Sequence, residues 1–354
     1  MSVLSYLKIG GTPFEAGQAL GRFGASSVHE HLLQTKSWAS VMRWRHSAPA
    51  AAMAALVQER FPQVWAELQG LAAGLGVPFE DVFLWNCRGD LWALAPDGCT
   101  TVQIPGEVRR MTHNEDGDSG FAGRCAIAEC AIDGSPRFAA FVYPGSLPGH
   151  TFAVTDRALA MTVNNLRELN VDAGVPRMVL TRAMLDAPSL DAAVAVLREQ
   201  PRAGGFHLTL AHRASAELLS VEFSSRLCSV RAVEMPALHA NHAIHPSMRD
   251  LPQLITGSSG HRQVRGDTLL AQARAEGRPV DPLAILGDTA HPQFPIYRDD
   301  PADSDDENTL ATADIVIHGT HIDWQVFEHP RGPARFRMID GHAQTHQQPA
   351  ADRE

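Results

Sequence analysis

The stretch Asp97-Gly98-Cys99-Thr100-Thr101 decides how the rest of the chain is interpreted. A residue without a side chain precedes a cysteine, and two hydroxyl residues follow it. Glycine permits a strained turn and leaves its carbonyl open to attack, and a cysteine becomes a strong nucleophile once its thiol proton is removed. Because free cysteine is also a common small core residue, this stretch alone favours a structural role over a catalytic one.

Four further motifs follow in chain order and reverse that balance. They are His113-Asn114-Glu115-Asp116-Gly117, Thr162-Val163-Asn164-Asn165-Leu166, Gly174-Val175-Pro176-Arg177 and His239-Ala240-Asn241-His242. Together with the cysteine stretch they resemble the acyl-coenzyme A:6-aminopenicillanic acid acyltransferase family, also called the C45 autoproteolytic enzymes, which belongs to the N-terminal nucleophile (Ntn) hydrolases. The resemblance runs from about Gly10 to about Pro330, and several separated motifs in order are more specific than any one of them.

Composition limits the classes of function. The chain has 354 residues, of which 44% are hydrophobic and 20% charged, with a formal net charge of -10 and a pI of about 5.9. The acidic balance argues against a nucleic-acid partner, which requires clustered Lys and Arg. Five cysteines without a CxxC pair fit a reducing compartment. No secretory or membrane-spanning segment is evident near the N-terminus, so we expect a cytoplasmic enzyme without a membrane partner.

The pattern of periodicity predicts an α+β fold. Helical periodicity is expected over Phe14–Thr35, Ala50–Leu75 with a kink or break at Pro62, Pro176–Leu185, Ser189–Arg198 and Ser259–Ala275. Short β-type runs are expected at residues 3–9, Cys99–Ile104, Cys125–Ile132, Arg137–Tyr143, Thr151–Val154, Leu159–Asn164, Phe206–His212, Leu218–Phe223 and Cys228–Glu234, with a closing hairpin of Leu310–His318 and Ile322–Glu328. Blocks of strands and helices without a regular βαβ rhythm favour α+β over a doubly wound sheet.

The resemblance implies a more specific fold and division of the chain. The family folds as a four-layer αββα sandwich, two antiparallel sheets between helical layers. Residues 1–98 would be a mostly helical segment that becomes a separate subunit after self-cleavage, and 99–341 the catalytic segment. The tail 342–354 lacks apolar periodicity and is expected to be disordered, and the acidic loop Asp299–Glu307 to be solvated. A homo-oligomer of the paired segments is compatible with this division.

The resemblance also assigns the nucleophile. In an Ntn enzyme the base is the α-amine of the nucleophilic residue, which titrates near ~8 and accepts a proton near neutral pH. Cys99 has a free amine only if the Gly98–Cys99 bond is cut, and the family makes this cut itself, by attack of the thiol on the preceding carbonyl. No cofactor is needed. No histidine stands in a recognisable Cys-His motif as an alternative base. Cys87, Cys125, Cys130 and Cys228 are expected to be structural.

The motif around residue 116 supplies the next candidates. In the family an Asn-x-Asp motif follows the nucleophile strand and its Asp orients the amine, which implies Asp116 with Asn114 here. His113 and Glu115 stand where relatives have an arginine or aromatic residues, and are candidates for substrate contact. The alternative is an Asx-rich turn between strands.

Three asparagines and one arginine complete the candidate site. Asn241 matches the oxyanion-hole asparagine of the family. A backbone N–H near Asn165 is the second donor, with Asn164 the alternative aligned residue. Arg262, in Ser258-Ser259-Gly260-His261-Arg262, resembles a site arginine whose charge would favour a thiolate, and a helix-surface arginine is the equally weighted alternative.

Two rival functions remain open. His239, His242 and His245 crowd one segment, and His318 and His321 another. Histidine spacing alone is a weak signal, so no metal site is expected, but a metal-assisted hydrolase would reveal itself by chelator sensitivity. A non-catalytic binding protein with the Ntn fold would stay uncut and unreactive. The favoured function is an amidohydrolase, or an acyltransferase from a thioester donor to an amine, acting on a small-molecule amide or acyl donor through a Cys99 thioester.

Overall fold

A computed structural model describes residues 4–93, 97–170, 172–300, 302–303 and 305–344, apart from the side chain of residue 97. Two β-sheets and ten α-helices make up most of this part of the chain. The strands are β1 (Ser5–Gly11), β2 (Asp97–Ile104), β3 (Arg109–Asp118), β4 (Ala126–Ile132), β5 (Phe138–Val142), β6 (Phe152–Thr155), β7 (Leu159–Asn165), β8 (Phe206–His212), β9 (Leu218–Phe223), β10 (Cys228–Ala232), β11 (Ala237–His239), β12 (Glu307–Ile317), β13 (Ile322–Phe327), β14 (Phe336–Ile339) and β15 (His342–Ala343). The helices are α1 (Pro13–Glu30), α2 (Lys36–Met42), α3 (Ala48–Arg60), α4 (Pro62–Leu75), α5 (Phe79–Trp85), α6 (Arg88–Leu91), α7 (Arg177–Met184), α8 (Leu190–Glu199), α9 (Gly257–Ala275) and α10 (Pro282–Leu286).

The elements stack in four layers. One sheet has eight strands in the order β1-β4-β5-β6-β7-β8-β9-β10, and the other has seven in the order β11-β2-β3-β12-β13-β14-β15. β2 packs against β7, so the two sheets lie face to face. α1 packs on α4 and on β1, and α8 on β8, whereas α9 and α10 cover β11, β2 and β3. The predicted αββα sandwich is therefore confirmed.

Local sequence signals explain where the N-terminal helices begin and end. Thr12 and Glu15 form a reciprocal capping box, in which each side chain accepts the backbone N–H of the other, and this starts α1. Pro62 begins α4 after α3 ends at Arg60, so the proline divides the predicted long helix in two instead of kinking it. α4 stops at Gly76, whose φ of 66° suits glycine.

The polar motif around Asn114 forms a strand, not a turn. Residues 109–118 pair with β12 on one side, and residues 110–117 of the same strand pair with β2 on the other. An Asx turn would have left these side chains near solvent, but nearly all of them are buried. Most polar side chains of this strand have hydrogen-bond partners, which makes their burial possible.

The N-terminal segment is part of the larger sheet. β1 pairs in parallel with β4, from Ser5 opposite Ala126 to Gly11 opposite Ile132. Residues from both sides of Gly98 therefore share one sheet and one hydrophobic core. No helix among the described residues has both the length and the apolar character needed to span a membrane.

The chain end continues the smaller sheet beyond the expected boundary. His342 and Ala343 pair with β14, in the first two positions of the tail that was expected to be disordered. The remaining part of that tail, from 345 to 354, lies outside the described residues.

Candidate active site

Two paired strands bring three of the predicted site residues to one face of the seven-stranded sheet. β2 and β3 run antiparallel, and their register places Cys99 opposite Glu115 and Thr101 opposite His113. Because side chains alternate along a strand, these four point to the same side. That side faces the eight-stranded sheet, since the hydroxyl of Thr101 donates to Asn164 on β7 at 2.7 Å. The thiol of Cys99 therefore lies between the two sheets.

The thiol of Cys99 faces a carboxylate. Cys99 is only 2% exposed, and its Sγ donates to Oε2 of Glu115 at 3.9 Å. The same carboxylate oxygen lies 3.1 Å from Nε2 of His113. The other oxygen, Oε1, accepts the hydroxyl proton of Tyr143 at 2.8 Å. Glu115 thus joins the nucleophile to a histidine and a tyrosine.

His113 is held as a neutral ring. Burial lowers the pKa of His113 to about 3, and its Nδ1 lies 2.8 Å from the hydroxyl of Thr101. One ring nitrogen of His113 lies within 4.8 Å of the Cys99 thiol. Strand pairing thus brings a histidine close to the thiol, although the two residues are far apart in sequence and form no recognisable Cys-His motif.

The backbone of Cys99 is held by two further predicted residues. Its N–H donates to Oδ1 of Asn241 at 2.9 Å, and its carbonyl accepts from Nη1 of Arg262 at 2.6 Å. Arg262 also donates through Nη2 to Oδ1 of Asn241 at 2.6 Å, which fixes the orientation of that amide. The amide nitrogen of Asn241 donates to the backbone carbonyl of Asn165 at 3.2 Å. Both peptide groups of Cys99 are thus engaged by side chains.

Arg262 lies inside the protein, which decides between the two alternatives that the sequence left open. It is in the second turn of α9, and the guanidinium contacts the hydroxyls of Ser258 and Thr100 besides the Cys99 carbonyl. Burial lowers the pKa of Arg262, and the nearby Asp116 carboxylate opposes that shift. Arg262 is thus a buried arginine at the candidate nucleophile and not a surface residue.

Asp116 lies on the helical side of β3, directly opposite Gly98. Oδ1 of Asp116 accepts the hydroxyl proton of Thr309 at 2.6 Å. Oδ2 is buried and has no hydrogen-bond partner among the described residues. Burial raises the pKa of Asp116, and the guanidinium groups of Arg262 and Arg298 offset part of that effect. One carboxylate oxygen therefore remains available beside the Gly98–Cys99 bond.

A buried ion-pair cluster covers Gly98, and no sequence motif indicates it. Glu307 accepts from Arg298 at 2.6 Å and from Arg167 at 2.7 Å, with all three side chains almost fully buried. A side chain at position 98 would overlap Oε2 of Glu307. Glu307 was assigned to a solvated acidic loop, and this is wrong for Glu307 and for Asp303, which pairs with Arg298. The acidic composition of the loop does not indicate that Arg167 and Arg298 balance the charge of Glu307.

The side chains of Asn114 and Asn164 make contacts in different layers of the fold. Asn114 points away from the thiol, donating to the carbonyl of Leu286 in α10 at 2.9 Å and accepting from Thr312 at 2.7 Å. It ties the sheet to its helical cover. Oδ1 of Asn164 accepts from Thr101 at 2.7 Å and lies 3.1 Å from Nδ1 of His207. Its side chain therefore belongs to a polar network between the sheets.

Asn165 adjoins the site through its backbone. Its carbonyl accepts from Asn241, while its side-chain oxygen accepts from Nη1 of Arg177 at 2.6 Å. Arg177 comes from the Gly174-Val175-Pro176-Arg177 motif, so this motif places a buried cation behind the oxyanion candidates. Of the two asparagines considered as partners of Asn241, the structure places the backbone of Asn165 next to it.

The histidine segment forms a structural network. His239 donates to, or shares a proton with, Glu222 at 2.8 Å, and its ring stacks on that of His207 with centroids 3.5 Å apart. His245 contacts Ser220 at 3.0 Å. Among the described residues, the group whose ligand atoms converge within 4.8 Å of one another is instead Cys99, His113 and Glu115.

The environments of the other cysteines differ from that of Cys99. Burial raises the pKa of Cys87 and Cys125 well above the usual range, and that of Cys130 to about 12. Cys228 is half-buried, and burial also raises its pKa. The fully buried thiols of Cys87, Cys125 and Cys130 are unreactive in such surroundings, which fits a structural role.

The model of one protein family matches residues 105–330, more than half of the chain. Its description is acyl-coenzyme A:6-aminopenicillanic acid acyl-transferase. The chain belongs to this acyltransferase family. The family resemblance stated from the motifs is confirmed, and so is the Ntn fold that it implies. The match begins just after Cys99, so the identification of the nucleophile depends on the geometry above.

This chain can also be compared with one curated relative. It is similar to a beta-alanyl-dopamine/carcinine hydrolase of Drosophila melanogaster, with 26% identity over 215 residues. The aligned region covers 53% of this chain and 56% of the relative. The chain therefore matches little more than half of that hydrolase.

Proposed function

We propose that this chain is a self-cleaving amidohydrolase or acyltransferase with an N-terminal cysteine nucleophile. The chain cuts its own Gly98–Cys99 bond, and residues 1–98 and 99–354 remain together as two subunits of one domain. Cys99 then takes the acyl group from a small-molecule amide as a thioester. Water or an amine releases it.

The observation that carries this proposal is how the peptide of Cys99 is held. Its N–H and carbonyl are bonded to the side chains of Asn241 and Arg262. A structural cysteine in a strand needs only its neighbouring strands for these groups. An Ntn nucleophile needs polar groups at its own nitrogen, because that nitrogen becomes the base.

The first step in the uncut chain needs a base other than the α-amine, which is still part of a peptide bond. Glu115 is placed for this task, since its carboxylate accepts the Cys99 thiol proton. Sγ then bonds to the Gly98 carbonyl carbon, the C–N bond breaks, and the Cys99 nitrogen takes up a proton. Water hydrolyses the resulting thioester, which leaves a carboxylate on Gly98 and a thiol and free amine on Cys99.

Cleavage creates the catalytic base, the α-amine of Cys99, next to polar groups that are already in position. The new amine is close to Oδ1 of Asn241, and Oδ2 of Asp116 offers a buried acceptor that lacks a partner among the described residues. The amine removes the thiol proton during attack on the substrate. The amide nitrogen of Asn241 leaves the Asn165 carbonyl and donates to the developing oxyanion.

The relative's name suggests the class of substrate. A beta-alanyl-dopamine/carcinine hydrolase cleaves an amide between a short acyl group and an amine. We extend this class, small N-acyl amines, to the present chain. Glu115 lies beside the nucleophile, so an acyl group that carries an ammonium, as β-alanyl does, would find a carboxylate near the reacting carbon.

Intact-mass measurement with N-terminal sequencing tests the proposal. The wild-type chain should mature without added protease into two fragments that begin at Met1 and Cys99. Cys99→Ala should remain one inactive chain, and Cys99→Ser should cut slowly because a hydroxyl is a poorer nucleophile. Cys228→Ala, which alters a half-buried thiol whose charged neighbours are Arg198 and Arg202 and not site residues, should cut like the wild type. A fully active enzyme that stays uncut would contradict the proposal.

A further inference from the structure

The cluster of Cys99, His113 and Glu115 has the composition of a metal site as well as of a polar network. Its three ligand atoms, the Cys99 sulfur, a ring nitrogen of His113 and a Glu115 carboxylate oxygen, lie within 4.8 Å of one another. All three residues are buried and sit on adjacent paired strands. Thiolate, imidazole and carboxylate are the ligands that zinc takes in proteins.

We propose that Cys99, His113 and Glu115 bind a divalent cation of the zinc class, and that this cation holds the nucleophile inactive. Binding does not depend on the proposed function, whereas inhibition rests on it. Three protein ligands leave a fourth position for water.

The spacing already approximates the required geometry. Zinc bonds of ~2.3 Å to sulfur and ~2.0–2.1 Å to nitrogen or oxygen place tetrahedral ligands roughly 3.3–3.6 Å apart. Oε2 of Glu115 lies 3.9 Å from Sγ of Cys99 and 3.1 Å from Nε2 of His113. These two separations differ from the tetrahedral range by less than about 0.5 Å, and the third, between the sulfur and a ring nitrogen of His113, is within 4.8 Å.

Two outer contacts orient the ligands. Nδ1 of His113 bonds to the hydroxyl of Thr101 at 2.8 Å, which leaves Nε2 directed at the cluster. The second oxygen of Glu115 accepts from Tyr143 at 2.8 Å. Metal-binding histidines and carboxylates usually have such supporting partners, which fix the ring and the carboxylate in place.

Charge balance favours the bound state in a buried setting. The ion displaces the thiol proton, so that the thiolate and the carboxylate together balance the divalent charge while the imidazole stays neutral. The sulfur lone pair used for attack is then bound to metal, and the Glu115 oxygen that would accept the thiol proton is occupied. Both self-cleavage and later turnover should stop while the ion is bound.

Cobalt(II) titration of the purified full-length protein, after chelation and dialysis, tests binding directly. One equivalent should produce a near-ultraviolet thiolate-to-cobalt charge-transfer band that Zn²⁺ removes by displacement. Cys99→Ser, His113→Asn and Glu115→Gln should each lose the band. Cys228→Ser and His321→Asn, which change a thiol and a histidine elsewhere, should retain it. A band that survives in Cys99→Ser would overturn the assignment.

Alkylation of the wild-type protein gives a second measurement that needs no variant. Zn²⁺ should protect Cys99, but not Cys228, from iodoacetamide, as followed by peptide mass. Zinc-loaded protein should also lose at least tenfold of its self-cleavage rate or turnover. Equal alkylation of Cys99 with and without zinc would overturn the binding. A zinc-loaded protein more active than the metal-free one would overturn the inhibition. A chain that binds cobalt but never cuts itself would contradict only the proposed function.

Discussion

Replacing Gly98 with alanine should strongly destabilise the uncut protein. The added methyl group would overlap Oε2 of Glu307 and lie 3.1 Å from Nη1 of Arg298. Glu307 has little freedom to retreat, because Arg298 holds one oxygen at 2.6 Å and Arg167 the other at 2.7 Å. Relief of the overlap must therefore weaken a buried ion pair.

The expected loss follows from the cost of that disturbance. Breaking a buried ion pair while its charges stay buried costs ~3–5 kcal/mol, and an extra methyl group in a packed interior costs ~1–3 kcal/mol. The two costs are not additive, because the same movement of Glu307 that relieves the steric overlap also disturbs the ion pair. We expect a fall of ~3–5 kcal/mol in the free energy of unfolding.

Urea unfolding measures this loss, with every variant made in a Cys99→Ala chain so that no cut intervenes. Gly319→Ala is the matched control, because nothing lies within 4 Å of its added methyl group. The control should stay within ~0.5 kcal/mol of its parent. If Gly98→Ala unfolds at the same urea concentration as Gly319→Ala, the ion-pair cluster does not require a glycine at position 98.

Further predictions concern the oxyanion candidate, pH and metal. Asn241→Ala should lower kcat of the proposed amide cleavage by ~10²–10³-fold with an unchanged circular dichroism spectrum, and near-normal kcat would remove Asn241 from the site. Burial raises the pKa of Asp90 to about 7, so the folded state retains a proton that the unfolded chain releases above its usual pKa. The stability contributed by this group is present at low pH and is lost as pH rises through about 7. Asp90→Asn should thus gain stability relative to wild type at pH 8, by at most ~4 kcal/mol, and little at low pH; equal pH dependence in thermal unfolding would contradict this. Exhaustive chelation should leave turnover intact and thiol alkylation should abolish it; loss on chelation that zinc restores would identify a metal enzyme.

The parts of the fold that depend on local sequence could be predicted. Helical periodicity and Pro62 predict α3 and α4 within Ala50–Leu75 to within a few residues, whereas the stretch predicted as Phe14–Thr35 ends as α1 at Glu30. Cys99, Asn241 and Arg262 were named from separate motifs, and the structure brings these three together.

The remainder depends on strand register and distant charges, which a single sequence does not display. Glu115 and His113 lie near the thiol because β2 and β3 pair in one register, and a shift of one residue would turn them to the opposite face. Asn114 belongs to the same motif but points to α10 for this reason. Glu307 appeared solvated because its partners are 9 and 140 residues away.

Because β1 pairs with β4, the order of synthesis determines when β1 can join the sheet. Ser5–Gly11 leaves the ribosome long before its partner strand Ala126–Ile132 has been made, and β4 follows the Gly98–Cys99 bond in the chain. β1 therefore has no β4 to pair with until the segment beyond the proposed cleavage site has been synthesised. Asn241 and Arg262, which hold the Cys99 peptide, arrive later still. A nascent chain therefore lacks the side chains that hold the Cys99 peptide until synthesis has passed residue 262.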